Sequence, residues 1–514
     1  MTQTDSLKDP IYKQIKDSIF PVIAILLSIH FLLNFTQNSG LKYFYLIEVA
    51  YTIFACLYYD LPKAMIALMG LFFIEGQGRI IWEYNPLMRI MFDLVCGLAV
   101  AKSLITYKYL FSKKIPAFFL FCINLHFFWY VVQIFNVYNA GILPVIGASK
   151  IFIFPFILFF VLLQNPIYLE SREFKQIQSL VIFLTLMEVI LTVYQMNGKE
   201  PVLLSISSYY HTASKMGIFT EKNFRPFGTS FLPGGMSMYL HVTVPLLLIN
   251  TSQTFIKKFV TFAVILASWF ALFISQVRAL AFKHVLTVLL CWIVLFLASR
   301  KSLFKTFKHN ILKILLILPI FFLPATHKML QELDLDTAID RFTVIAEEGG
   351  SLEKHRVNLD QAIRIMSSKI KEAPLGVGPG RTGAAGSLGA EATRNDPIFN
   401  KEFAWTADNL FISLAIDFGV GMIFYLFAIL GLVLWLFYQT ILAYVHGNYT
   451  LFSHMGVISA SLIVMLIGNW GAISVPYNPE SFMFWFLSAI AVNHYNREKN
   501  SRVVSGIEVR TTSH

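Results

Sequence analysis

Apolar runs of about 20 residues recur along most of this chain, the length a helix needs to cross a hydrocarbon core of about 30 Å. A backbone inside hydrocarbon must satisfy its own N–H and C=O groups, and a helix does so within one segment. A transmembrane barrel would instead alternate apolar and polar residues over segments of about 10 residues. Composition points the same way: 14% of the chain is charged, against about 25% in soluble domains. The expected fold class is therefore an all-α polytopic membrane protein with about fourteen transmembrane helices. Their approximate limits are 19–35, 41–58, 61–77, 87–106, 115–137, 150–168, 177–196, 235–250, 257–275, 279–298, 311–325, 414–438, 454–473 and 479–495. The least regular are 61–77, which ends in Gly-Gln-Gly-Arg, and 87–106, which carries Asp93 and Lys102.

The net charge of +11 reads as cytoplasmic lysines and arginines obeying the positive-inside rule. With the N-terminus and its Lys8, Lys13 and Lys16 inside, every second loop is cytoplasmic. Those loops hold Lys63; Lys108, Lys113 and Lys114; Arg172 and Lys175; Lys257 and Lys258; and Arg300, Lys301, Lys305 and Lys308. The opposite short loops hold few, among them Lys42, Arg79 and Lys150. The expected location is the cytoplasmic (inner) membrane, multi-pass, with both termini cytoplasmic. The basic residues are scattered over short loops, so nucleic acid is not an expected partner, whereas membrane lipids are. Cys56, Cys96, Cys122 and Cys291 sit inside apolar runs and read as small core residues. No cleavable signal peptide is expected, because the first apolar run lacks a small-residue cleavage site.

One polar interruption, 325–407, is far longer than a turn between spans needs. The expected division is thus spans 1–11 in 1–324, with an outer loop at 197–234, then a large extracytoplasmic loop at 325–407. Three spans in 408–496 and a disordered cytoplasmic tail at 497–514 follow. The charge alternation puts the 197–234 loop, the Ser275 to Arg278 turn and the 325–407 loop on one outer face. Inside the large loop a helix is expected at about Leu352 to Lys371, from the stripe Val357, Ala362, Ile363, Ile365, Met366 and Ile370. Pro374 and the glycines end it. The 382–400 segment, rich in Gly, Ala, Ser and Asn, reads as flexible, and Asp408 to Phe418 as a short membrane-embedded helix before the next span.

Four places carry residues suited to chemistry. Arg225 opens the tight Pro- and Gly-containing stretch that runs to Gly235. A guanidinium there suits bidentate contact with a pyrophosphate, or else snorkels to lipid phosphate as an interfacial anchor. Arg278 lies between two apolar spans, where a charge needs a carboxylate or an anionic ligand. The run from Pro374 to Arg381, with Gly376, Gly378 and Gly380, either offers backbone N–H groups to an anion or simply ends the helix. It lacks the Lys-Ser/Thr of a phosphate-binding Walker loop. Asp408-Asn409 stands at the start of an apolar stretch, where the carboxylate is either a helix N-cap or a general base for a hydroxyl acceptor. No histidine pair has metal-ligand spacing in a shared outer loop, and Asp334-Leu335-Asp336 is a weak metal pattern, so neither a metal nor a cofactor is expected.

Taken together, these residues resemble the O-antigen polymerase and O-antigen ligase superfamily over roughly residues 180–440. The stretch from Arg225 to Gly235 is similar to that family's arginine, Gly-Thr and Pro-containing turn before a span. Ser275 to Arg278 resembles its Ser-x-x-Arg. Arg356, the following helix and Pro374 to Gly380 resemble its loop arginine, helix and Pro-Leu-Gly-Val-Gly-Pro-Gly run. Asp417-Phe418-Gly419-Val420-Gly421 resembles its acidic-x-Gly-x-x-Gly stretch. The chain departs at Asp408, where the family usually has a histidine.

The resemblance implies a metal-independent membrane glycosyltransferase acting on an undecaprenyl-pyrophosphate-linked glycan. Arg225 and Arg278 would hold the pyrophosphate leaving group, Asp408 would act as base, and Arg356, Gly376, Gly378, Gly380, Arg381 and Asn409 would bind substrate. A flippase and a chain-length regulator are the protein partners it implies. About fourteen spans and the missing histidine lean towards polymerisation of O-antigen or exopolysaccharide repeats. The alternatives are a ligase that transfers the glycan to lipid A core and a lipid-linked oligosaccharide flippase.

Overall fold

The computed structural model describes residues 19–106, 115–139, 141–215, 224–249, 255–275, 277–299, 359–381, 410–468 and 479–504. Among these no strand occurs, and the regular elements are helices. Along the chain they are α1 Ile19–Phe35, α2 Leu41–Tyr58, α3 Leu61–Ile81, α4 Pro86–Thr106, α5 Ala117–Ile134, α6 Ile142–Phe152, α7 Phe154–Gln164, α8 Arg172–Ile206 and α9 Tyr209–Lys215. Then come α10 Met236–Leu248, α11 Phe255–Ser275, α12 Arg278–Ser299, α13 Leu359–Glu372 and α14 Leu410–Phe418. A 3₁₀ turn, Gly419–Gly421, leads into α15 Met422–Val445, followed by α16 Tyr449–Gly468 and α17 Glu480–Val504.

Nine helical stretches among the described residues are long and apolar enough to cross a membrane. The protein is a helical, multi-pass membrane protein, and the count of fourteen is not established. The differences have local causes. Helices α1 and α10 are apolar but have only 17 and 13 residues. Helix α4 carries Arg89, Asp93 and Lys102, and α17 runs on into a polar end. The expected span 311–325 lies outside the described residues. Large apolar side chains such as Ile25, Leu32, Ile47 and Phe121 face outward, as lipid-facing residues do.

Breaks inside the apolar stretches follow the chemistry of single residues. The expected span 150–168 is met by α6 and α7, which break at Ile153 just before Pro155. Proline has no N–H for the helix ladder and clashes with the preceding turn. The expected span 177–196 belongs to the longer α8, whose N-cap Ser171 accepts from Phe174 N at 3.1 Å. Lys199, at φ 50° and ψ −145°, breaks its course, and Pro201 opens the last stretch to Ile206. The expected outer loop at 197–234 therefore begins with helix. Helix α14 is the short apolar helix expected ahead of the 414–438 span. The helix expected at 352–371 is described from Leu359 as α13.

Two compact units divide the described elements. The first comprises α1–α4, α8–α11 and the start of α12; the second comprises α5–α7, the rest of α12 and α13–α17. In the first, α3 is the central helix and packs against α1, α2, α4, α8 and α9. Nearly all of α3 is buried, including its polar residues Glu75 and Gln77. In the second, α15 packs on α5 and α16, α17 on α7 and α16, and α13 on α14. The four cysteines are buried and free of disulfides.

Candidate functional site

In the first unit the Arg225 to Gly235 loop is held from two sides. Glu188 and Gln195 stand seven residues apart, on one face of α8. The Gln195 side-chain oxygen accepts from Phe227 N at 2.9 Å and Gly228 N at 2.7 Å, while its amide donates to Gly228 O at 3.1 Å. The Glu188 carboxylate accepts from Thr229 N at 2.8 Å and lies 3.0 Å from the Thr229 hydroxyl. Gly228 adopts φ +59°, and a Cβ there would lie 1.9 Å from Glu188 Oε1. Only glycine permits both this backbone and this carboxylate.

Helix α3 holds the other side. A Cβ at Gly76 would lie 2.7 Å from Phe231 N, so the glycine lets the loop lie directly on the helix. Arg79 pairs with Glu75 at 2.5 Å and stands over the Phe231 ring at 4.8 Å. Tyr84, just beyond α3, donates its hydroxyl to Phe231 O at 2.8 Å. Burial pushes that phenol up to about 12, so it keeps the proton it donates. Tyr210 on α9 meets the Phe227 ring edge-on at 5.0 Å.

The loop closes on itself through Gly234 N to Pro226 O at 2.7 Å. There it meets the second arginine-bearing element. A Cβ built on Gly234 would lie 2.5 Å from Val277 Cγ2, 3.0 Å from Ser275 O and 3.9 Å from Arg225 Cδ. The hydroxyls of Ser237 and Ser275 are 3.3 Å apart. The stem of Arg225 thus reaches the turn from which α12 begins at Arg278, and α10 begins beside it at Met236. Two helix N-termini and the half-buried Arg225 share one corner, a combination whose positive ends favour an anion.

In the second unit the run from Pro374 to Arg381 ends α13 and is bonded to its neighbours. Gly376 N donates to Ala373 O, Val377 N to Ile416 O and Gly378 N to Asp417 O, at 2.9, 2.9 and 3.2 Å. Gly380 N donates to the buried Asp417 carboxylate at 3.1 Å. The amides of Val377, Gly378 and Gly380 are thus engaged by α14, and that of Gly376 by its own turn. At Gly376, φ is +83° and a Cβ would lie 2.5 Å from Asp417 O, so the glycine allows backbone to cross backbone. The Arg381 guanidinium donates to Tyr138 O through Nε at 3.0 Å and also through Nη2. Gly376, Gly378, Gly380 and Arg381 thus join α13 to α14 and to the end of α5.

Asp408, Asn409 and Arg356 lie outside the described residues, as does the Arg278 side chain. Among the described residues no group of three or more His, Cys, Asp or Glu side chains could hold a metal ion. Glu75, Glu188 and Gln195 escaped the sequence reading, and Arg79, expected in a short outer loop, lies inside α3. Their signal was available: polar residues inside apolar helices at spacings of four and seven, which put each pair on one helix face.

No family model matches the chain, and no curated protein matches its sequence.

Proposed function

We propose that the protein is a membrane glycosyltransferase whose donor is a glycan on a polyprenyl pyrophosphate, and that it polymerises lipid-linked repeats. The observation that supports this most is the meeting of the Arg225 loop with the Ser275 to Arg278 turn at Gly234. A pyrophosphate leaving group needs donors where charge develops as the glycosidic bond to it breaks. Arg225 supplies such a donor, and the positive ends of the two adjacent helices add to its field, beside the membrane-spanning helices. In the reaction, an acceptor sugar hydroxyl attacks the anomeric carbon, the bond to the pyrophosphate oxygen breaks, and Asp408 takes the hydroxyl proton. Glu188, Gln195, Gly228 and Thr229 fix the backbone that carries Arg225. The role of Asp408 rests on its chemistry and on the resemblance described above.

The test uses purified protein and a synthetic pyrophosphate-linked repeat. Chain growth without added divalent metal is the expected result, and Arg225→Ala and Arg278→Ala abolish it. If both variants extend the repeat at the wild-type rate, the pyrophosphate assignment is wrong. Transfer that requires lipid A core as acceptor would instead assign a ligase. The flippase reading draws on a different observation, the buried carboxylates Glu48, Glu75 and Glu188 and the part-buried Arg79 within the helices of the first unit. It predicts translocation of the lipid-linked glycan across vesicles with no new glycosidic bond.

A further inference from the structure

A polar network crosses the helices of the first unit, and its hydrogen bonds determine where the protons are. His30 on α1 is fully buried, with Nδ1 2.8 Å from Glu48 Oε2 on α2 and Nε2 2.9 Å from Gln77 Oε1 on α3. Asn34 donates through Nδ2 to the His30 carbonyl at 3.0 Å, which fixes the orientation of its amide. The same Nδ2 reaches Gln77 Oε1 at 3.1 Å, while Gln77 Nε2 donates to Asn34 Oδ1 at 2.5 Å. Gln77 Oε1 is therefore an acceptor, and His30 must present Nε2–H to it.

The consequence falls on the other ring nitrogen. With Nε2 protonated, a neutral imidazole offers only a lone pair at Nδ1, and an ionised Glu48 offers only lone pairs too. A 2.8 Å contact between two acceptors is repulsive, so a second proton lies between Nδ1 and Oε2. Whether it sits on the ring or on the carboxyl, the pair holds two protons. Glu48 is 4% exposed, and its Oε1 has no hydrogen-bond partner among the described residues. Glu188 on α8 acts on the pair; Tyr210 on α9 lies beyond Gln77, and Tyr45 on α2 interacts with Glu48 and is itself flanked by Glu75 and Arg79 on α3.

We propose that His30 and Glu48 form a proton-binding site within the membrane helices, joined through Gln77 and Tyr210 to the loop that carries Arg225. Gln77 Nε2 donates to the Tyr210 hydroxyl at 3.1 Å, and the Tyr210 ring packs edge-on against Phe227. Loss of the shared proton leaves two acceptors face to face, so the pair must separate. The displacement passes to Gln77, which bonds both His30 and Tyr210, and from Tyr210 to the loop. The proton site does not depend on what the loop binds.

Proton counting supplies the test. An unfolded chain at pH 7.5 carries one proton on these two side chains, since free His and Glu titrate near 6.5 and 4.3. The folded pair carries two. Folding above about pH 6.5 therefore takes up one proton here, and the unfolding equilibrium rises tenfold per pH unit on account of this pair. Glu48→Gln donates an amide hydrogen to Nδ1 and needs no such proton. Between pH 6.5 and 8.5, in detergent micelles, the wild-type unfolding constant should climb tenfold more steeply per pH unit than that of Glu48→Gln. The double variant His30→Leu/Glu48→Leu, which replaces the buried pair by apolar side chains, should lose the same slope and gives a second measurement if the single variant does not fold. Equal slopes in wild type and either variant would overturn the site. Hydrogen exchange of the Phe227 to Thr229 amides tests the link. Corrected for intrinsic rate and for the change in global stability, it should accelerate in the wild type alone at the higher pH where the tenfold slope levels off as the folded pair gives up its proton; the same pH response in wild type and variant would break the link.

Discussion

Gly228 shows how much a single backbone position decides in this protein. Its φ of +59° and the Glu188 oxygen that a Cβ would meet at 1.9 Å leave no room for another residue. Gly228→Ala is expected to cost about 1–3 kcal/mol from backbone strain, with the contact to Glu188 lost as well. The thermal midpoint of the purified protein would show it. Arg225→Lys keeps the charge but loses the planar fork, so binding of a polyprenyl pyrophosphate should weaken by about tenfold, and more in Arg225→Ala. Calorimetric titration would measure both, and equal affinity of wild type and Arg225→Ala would remove this residue from the site. None of the partners of the loop could be read from the Arg225 to Gly235 stretch alone. Glu188 and Gln195 lie some 30 to 40 residues earlier, and a helix face reaches a loop only after the helices have packed.

At the level of helices, the chain repeatedly uses short breaks inside apolar stretches. Proline at 155 and the Gly419–Gly421 turn each interrupt what hydropathy reads as one span, and Lys199, with positive φ, breaks α8 just past the end of another. The Gly419–Gly421 turn matters most, because the glycine run at 374–380 docks on it. Val420 N bonds Pro374 O and Val377 N bonds Ile416 O, at 2.9 Å each, and Gly380 N bonds Asp417. Asp417→Ala removes the carboxylate acceptor from a buried N–H, at a cost of about 1–3 kcal/mol. Proteolysis after Arg364 or Lys371 on α13 should accelerate in Asp417→Ala; unchanged cleavage would mean that the carboxylate does not hold α13 in place. Periodicity announced α13, and Pro374 with the glycines announced its end. The destination of their N–H groups was not announced, because a glycine run that binds an anion and one that crosses another backbone have the same composition.

For the molecule as a whole, apolar length and charge alternation settle the class and leave the interior open. Sidedness can be checked with single cysteines in a cysteine-free background. A membrane-impermeant maleimide should label position 390 in intact spheroplasts, and positions 113 and 502 only after permeabilisation; the reverse pattern would invert the proposed orientation. Hydropathy along the chain was enough to establish a helical multi-pass membrane protein, because hydrocarbon imposes that answer on each span separately. Most limits followed from it as well, with α1 and α2 described at the expected residues. The tertiary structure alone decided which polar residues meet. His30, Glu48, Gln77 and Tyr210 come from four helices, and the Arg225 to Gly235 loop meets Ser275 and Val277 some 40 residues on. Burial in hydrocarbon states that such groups must find partners. Which partners they find depends on packing between helices distant in the chain, and no local pattern carries that information.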